Sequence, residues 1–247
     1  MKILLKILLF LVCINHAAAQ DLHVDVDLQG MRPFGFVRIT DMKDVRSQPA
    51  ANINYDDIDG SAFWSNNWNA AMLYTEAYKI MLPEAKLNCY SGEIFYKNDT
   101  GQVRAISPGA INKIVFYKGS DTSVTIATFL YLQKAGESAN HFAELLNEGN
   151  TLLLKLRDVI VVERPYDVIQ GKHVYGFTGK ADYYLFHDNN PIKLQSLNRE
   201  AFFAGIRPTA GDLDWLKKTN NKLKNEKDFV AFLDYYNKQQ SAPANAR

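Results

Sequence analysis

Cysteine is scarce in this chain. It has two, Cys13 and Cys89, and Cys13 falls in an N-terminal segment that reads as removable. One remaining cysteine cannot close an internal disulfide, so the folded part must be held by its core. A charge imbalance is also missing, with 28 Lys and Arg standing against 27 Asp and Glu. That balance gives no electrostatic footprint for nucleic acid or an anionic membrane. No apolar run approaches the roughly 20 residues that span a bilayer as a helix. A Gly-x-Ser-x-Gly elbow, a phosphate-cradling Gly-rich loop and a dinucleotide fingerprint are all lacking.

What is present starts at the N-terminus. Lys2 and Lys6 precede an apolar run, Ile7 to Ile14, and then come the small residues Ala17, Ala18 and Ala19. This is the order of a secretory signal peptide, with cleavage expected after Ala19. Val12 stands before Cys13 where a lipobox carries a small residue, so lipidation is not expected. Removal of Lys2 and Lys6 leaves 26 basic residues against the 27 acidic ones. The expectation is an exported chain beginning at Gln20, in the periplasm, at the cell surface or extracellular, with no transmembrane segment and no nucleic-acid partner. At 47% hydrophobic and 12% aromatic, it has the composition of a globular domain.

The pattern predicts α+β: mainly an antiparallel β meander, followed by C-terminal helices. Whether the meander curls into a barrel is left open. Residues 20–57 read as a loosely ordered arm with one or two edge strands, such as the alternating His23–Leu28 run. Residues 58–195 read as the meander. Its short runs are Ala70–Thr75, Tyr78–Leu82, Leu87–Tyr90, Ile94–Tyr96, Val103–Ile106, Ile114–Tyr117, Thr125–Leu132, His141–Leu146, Thr151–Leu156, Tyr183–Phe186 and Ile192–Leu194. Turn signals at Asn98–Gly101, Gly136–Ser138, Asn147–Asn150 and Asp188–Asn190 separate them. Links this short make neighbours antiparallel, because a parallel crossover needs a dozen residues or more. Residues 196–238 read as helices on the sheet, with Ser196, Thr209 and Asn225 as candidate N-caps. Phe229, Phe232, Leu233 and Tyr236 fall at i, i+3, i+4 and i+7, one apolar helix face. Residues 239–247 read as a flexible tail.

Candidate chemistry is thin. His23, His141, His173 and His187 show no metal-ligand spacing, and no cofactor is expected. Cys89 sits in a strand pattern without a local base, which favours burial over nucleophilic work. Asp56, Asp57, Asp59 and Gly60 have the flavour of a calcium loop. In EF-hand register, however, Tyr55 and Asn66 would occupy positions one and twelve, so an Asx-rich turn competes with a loose calcium site. Phe63, Trp64 and Trp68 cluster with Asn66 and Asn67. Rings beside amides can bind sugar or peptide by stacking and hydrogen bonding. The competing reading is that the rings pack on the sheet where its first strand enters.

Asp59-Gly60-Ser61-Ala62-Phe63 leading to Trp68, the Glu93–Tyr96 and Val103–Ile106 pair, Phe142–Leu146 before Gly149, the Asp182–Phe186 run before Ile192–Leu194 and the closing Asn225–Asn237 helix together resemble a group of uncharacterised exported β-rich proteins common in Bacteroidota. Ala62 stands where that group has proline. The resemblance implies export and this architecture, and no functional residues. Two function classes remain. One is a non-catalytic cell-envelope protein that binds a protein, small-molecule or glycan ligand, with Phe63, Trp64, Asn66, Asn67 and Trp68 as candidate ligand residues. The other is a hydrolase assembled only in the fold, using carboxylates such as Glu93, Glu144 or Asp182 with His141.

Overall fold

The computed structural model describes residues 47–49, 55, 58–133, 140–165, 171, 174–187, 190–194 and 196–241. The expected signal segment (residues 1–19), the His23–Leu28 run, Asp56 and Asp57, the expected turn at Gly136–Ser138, His173, Asp188 with Asn189, and the last six residues lie outside them. Among the described residues the chain is α+β, with twelve strands in one sheet and three C-terminal α-helices. The strands are β1 (Ser47–Pro49), β2 (Ile58–Asp59), β3 (Asn69–Tyr74), β4 (Lys79–Leu87), β5 (Ile94–Lys97), β6 (Val103–Ile106), β7 (Lys113–Lys118), β8 (Asp121–Gln133), β9 (Asn140–Leu145), β10 (Leu152–Glu163), β11 (Tyr175–His187) and β12 (Asn190–Leu194).

The order across the sheet is β1-β6-β5-β4-β3-β7-β8-β9-β10-β11-β12, with β2 added beside β11. Two meanders therefore meet at the β3–β7 pair. One runs outward from β3 to β6, and the other from β7 to β12. Hairpin links make each sequential pair antiparallel, as at Asn98, whose Oδ1 accepts from Thr100 N, Thr100 Oγ1 and Gln102 N. Gly101 follows at φ +78°, a conformation that glycine adopts without strain.

One question left open by the sequence is answered, and two features depart from its expectation. β1 and β12 are the two ends of the strand order, so the sheet is open and not a closed barrel. β2 pairs with β11 in parallel, at Ile58 with Tyr175 and Asp59 with Gly176. Tyr78–Leu82 and Leu87–Tyr90 are not separate strands. Pro83 lies inside β4, where the β3 register slips between Asn69 and Ala71; a bulge is one of the few places a strand tolerates proline.

The core has two clusters. Ala71, Leu73, Leu87, Ile94, Ile106, Ile114, Phe116, Phe129 and Phe142 form the first, among β3 to β9. The second joins Leu153, Leu185 and Leu194 of β10, β11 and β12 to the helices. Helix α1 (Arg199–Ile206) is capped by Asn198, whose side chain accepts from Ala201 N. Ser196 instead accepts from the Asn198 amide, in a tight turn that also joins Asn198 N to the Ser196 carbonyl just before the helix. Thr209 and Asp212 form a complete capping box at the start of α2 (Ala210–Lys218). Asn225 Oδ1 accepts from Asp228 N at the start of α3 (Glu226–Ser241), which takes in the first three residues of the expected tail, 239–241. Phe229, Phe232, Leu233 and Tyr236 are all buried in the second cluster. Asn237 clips α3 to the β9–β10 turn, accepting from Thr151 N and donating to the Glu148 and Thr151 carbonyls. No helix of the described residues is long and apolar enough to cross a membrane.

Candidate functional site

The segment from Ile58 to Asn69 is tied down at both ends. Beyond β2, Gly60 adopts φ +92° and a Cβ there would meet the Phe177 carbonyl at 3.2 Å, so glycine suits both the turn and the close approach. Ala62 O accepts from Cys89 N, and Trp64 N donates to Leu87 O, extending the sheet past the end of β4. Ser61 Oγ accepts from Phe63 N and donates to Asn66 Oδ1; Ser65 Oγ accepts from Asn67 N. Short hydroxyl-to-backbone bonds of this kind hold turns.

This extended course splits the aromatic cluster, because neighbouring side chains in an extended chain point to opposite faces. Trp64 turns into the first core cluster. Its ring stacks on Phe116 with centroids 5.4 Å apart and meets Phe129 edge-on at 5.3 Å. For Trp64, packing on the sheet is the observed role. Phe63 lies on the other side, beside Phe95 at 5.4 Å and Tyr55 at 5.6 Å. Trp68 rejoins Phe63 through Lys86, whose Nζ is 5.4 Å from the Phe63 ring centre and 4.7 Å from that of Trp68. Lys97 Nζ stands 4.9 Å from the Trp68 ring centre. Strand pairing explains the grouping: Lys86 is opposite Phe95, and Lys97 reaches Glu84 on the same face at 2.7 Å.

Lysines over rings recur elsewhere, as at Tyr74, Tyr183 and Tyr184. At Tyr183 and Tyr184 the lysine has a carboxylate, Glu226 or Asp182, and Lys113 at Tyr74 feels the field of Glu148. Lys86, like Lys79 and Lys113 at Tyr74, has no ion pair among the described residues; what sets it apart is a second ring beside it. Burial, and then the neighbouring Lys97, pull its ammonium below the usual lysine range. Asn66 and Asn67 are exposed on the same segment. With Asn66 Oδ1 taken by Ser61, its amide NH2 remains a donor toward solvent. The arrangement can thus offer ring faces, an uncompensated cation and amide donors.

A second group of polar residues lies between the two core clusters. Strand register places Phe129, Glu144, Lys155, Tyr183 and Leu194 in one row across β8 to β12. Glu226, the first residue of α3, accepts from Lys155 Nζ at 2.6 Å and from Tyr183 OH at 2.9 Å. Burial would raise the Glu226 carboxyl, yet these two donors bring it below the ordinary range. Burial, and then the facing Glu226, push the Tyr183 phenol up to about 12. Glu144 is raised by burial, against the pull of Arg157. Arg157 Nη2 stands 3.8 Å from Glu144 Oε2, which has no hydrogen-bond partner among the described residues. Register alone makes this row, so no sequence spacing could have revealed it. Its bonded half docks α3.

The residues considered for a hydrolase do not gather in one place. His141 and Glu144 are three apart on β9 and face opposite sides of the sheet. Asp182 shares the His141 face, in the row of Ala143 and Leu156. Two strand spacings and two residues of rise put those two positions roughly 12 Å apart. Lys193 and Lys180 flank Asp182, and Glu93 lies in the turn before β5. Burial pushes the Cys89 thiol up to about 12, which keeps it protonated and poorly nucleophilic at neutral pH. Among the described residues no group of three or more His, Cys, Asp or Glu could hold a metal ion. No family model, no curated protein and no solved structure matches this chain.

Proposed function

We propose that this chain is an exported cell-envelope protein that works by binding, with its ligand seated on the face formed by Phe63, Trp68, Lys86 and Lys97. The observation that carries the reading is Lys86, a half-buried cation set between two rings without a carboxylate among the described residues. A lysine so placed is available to an anionic or polar ligand that seats on the same rings. The exposed amides of Asn66 and Asn67 supply the hydrogen-bonding rim that an aromatic binding site needs. Export rests on Lys2, Lys6, the Ile7–Ile14 run and Ala17–Ala19, and places the mature chain in the periplasm or at the cell surface.

The test is a thermal-shift screen of the chain from Gln20 onward against oligosaccharides and peptides. A ligand that binds only the native state raises the melting temperature by mass action. At least one compound is expected to raise it for the wild type and not for Trp68→Ala. Hits that stabilise both proteins equally would place the site elsewhere and defeat the reading.

A further inference from the structure

Resting on the reading above, we infer that the ligand is an acidic saccharide: a pyranose that stacks on the partly exposed ring of Trp68 while its carboxylate meets Lys86. Three observations lead there. The face carries two ammonium groups, Lys86 and Lys97, and among the described residues the one carboxylate that reaches them, Glu84, is spent on Lys97. Among those residues the site is therefore short of one negative charge. An anion docking beside Lys86 supplies it, relieving the repulsion between the two ammonium groups and the cost of holding Lys86 half out of water.

The backbone argues against an extended peptide. Lys86 is paired with Phe95, Tyr96 with Ala85, and Lys97 with Val103. The main chain of β4 and β5 beneath the patch is thus committed to the sheet interior and presents no free edge for strand addition. Side chains alone remain to make contacts: ring faces, ammonium groups and the amides of Asn66 and Asn67. A sugar ring uses such a set, its C–H face on an aromatic and its hydroxyls on amides. A neutral sugar would use the rings and amides and leave Lys86 as uncompensated as before.

Isothermal titration of the chain from Gln20 onward with tetragalacturonate and with cellotetraose tests this. The acidic tetramer is expected to bind at least tenfold more tightly than the neutral one. Its affinity should fall at least tenfold in Lys86→Gln, and several-fold between 50 mM and 500 mM NaCl. Lys86→Gln is a partly exposed strand substitution, and an unchanged melting temperature checks that it folds. A polygalacturonate polymer run alongside distinguishes a chain-internal from a chain-end ligand, since only internal binding keeps the affinity per site. If cellotetraose binds as tightly and Trp68→Ala abolishes it, the binding face stands and the acidic specificity is overturned. If tetragalacturonate binds equally to wild type and Lys86→Gln, the inference fails. If neither sugar binds, the inference fails, and the peptide arm of the stability screen decides the broader reading.

Discussion

Truncating Phe232 to alanine tests how the helices are held. Phe232 is fully buried and lies among four other rings, with Phe202 at 5.9 Å, Trp215 at 6.0 Å, and Phe203 and Tyr236 at 6.1 Å. Removing its ring gives up burial worth about 1.5–3 kcal/mol. It also leaves a cavity walled by aromatic groups on three elements, which are poorly able to collapse into it. The total should reach about 3–5 kcal/mol, the range for a buried Phe truncation. With a urea slope of about 2–3 kcal/mol per molar, the unfolding midpoint should fall by about 1–2.5 M. The control is Lys227→Ala, exposed on the same helix and expected to change stability by no more than about 0.5 kcal/mol. Circular dichroism and tryptophan fluorescence should report one coincident transition. An unchanged midpoint for Phe232→Ala would refute the argument, because α3 could not then be part of the core.

Two further outcomes follow from the buried titratable groups. Cys89 should resist a thiol reagent at pH 8 in the native protein and react fully in denaturant, since burial pushes its thiol up to about 12; rapid native labelling would contradict this. The Glu226 carboxyl is lowered in the folded state, so its contribution is present above the ordinary carboxylate pKa and is lost as pH falls through the folded value. Glu144 is raised, so its contribution is present at acid pH and is lost as pH rises through the folded value. Urea titrations across pH 3–7 should therefore show Glu226→Gln losing less stability on acidification than the wild type, and Glu144→Gln gaining at neutral relative to acid pH. Parallel pH profiles for all three proteins would contradict both directions.

Local signals read well from the sequence and long-range ones did not. The Asn98–Gly101 turn, the Thr209–Asp212 box and the Phe229–Tyr236 stripe each lie within eight residues, and each forms as its spacing implies. The β3–β7 pair has no such signature. Residues 107–112 carry the chain past three strands, and only the pairing of Ala71 with Phe116 through Tyr74 with Lys113 reveals it. β10 and β11 run well beyond the apolar stretches Thr151–Leu156 and Tyr183–Phe186. Asp158 opposite Lys180, 3.7 Å apart, interrupts the apolar pattern of β10, and the unbroken Val159–Val162 run beyond it is a strand signal that the short-run reading passes over.

The candidate site was half legible for the same reason. That Phe63 and Trp64 would face opposite ways follows from an extended chain. Nothing near Trp68 in sequence announces Lys86 and Lys97, which arrive through the β4–β5 pairing. Likewise Glu144, Lys155 and Tyr183 become neighbours only through register.

The three tryptophans permit the most direct test of the binding face. Trp64 is committed to the first core cluster and Trp215 packs with Phe232 and Tyr235, while Trp68 stands with the two lysines. Indole N–H resonances of the 15N-labelled protein, assigned by single Trp→Phe variants, should be followed during titration with tetragalacturonate. The account predicts that the Trp68 resonance shifts in a saturable way while those of Trp64 and Trp215 stay in place. A saturable shift at Trp215 with none at Trp68, or no shift at any indole up to millimolar sugar, would contradict it.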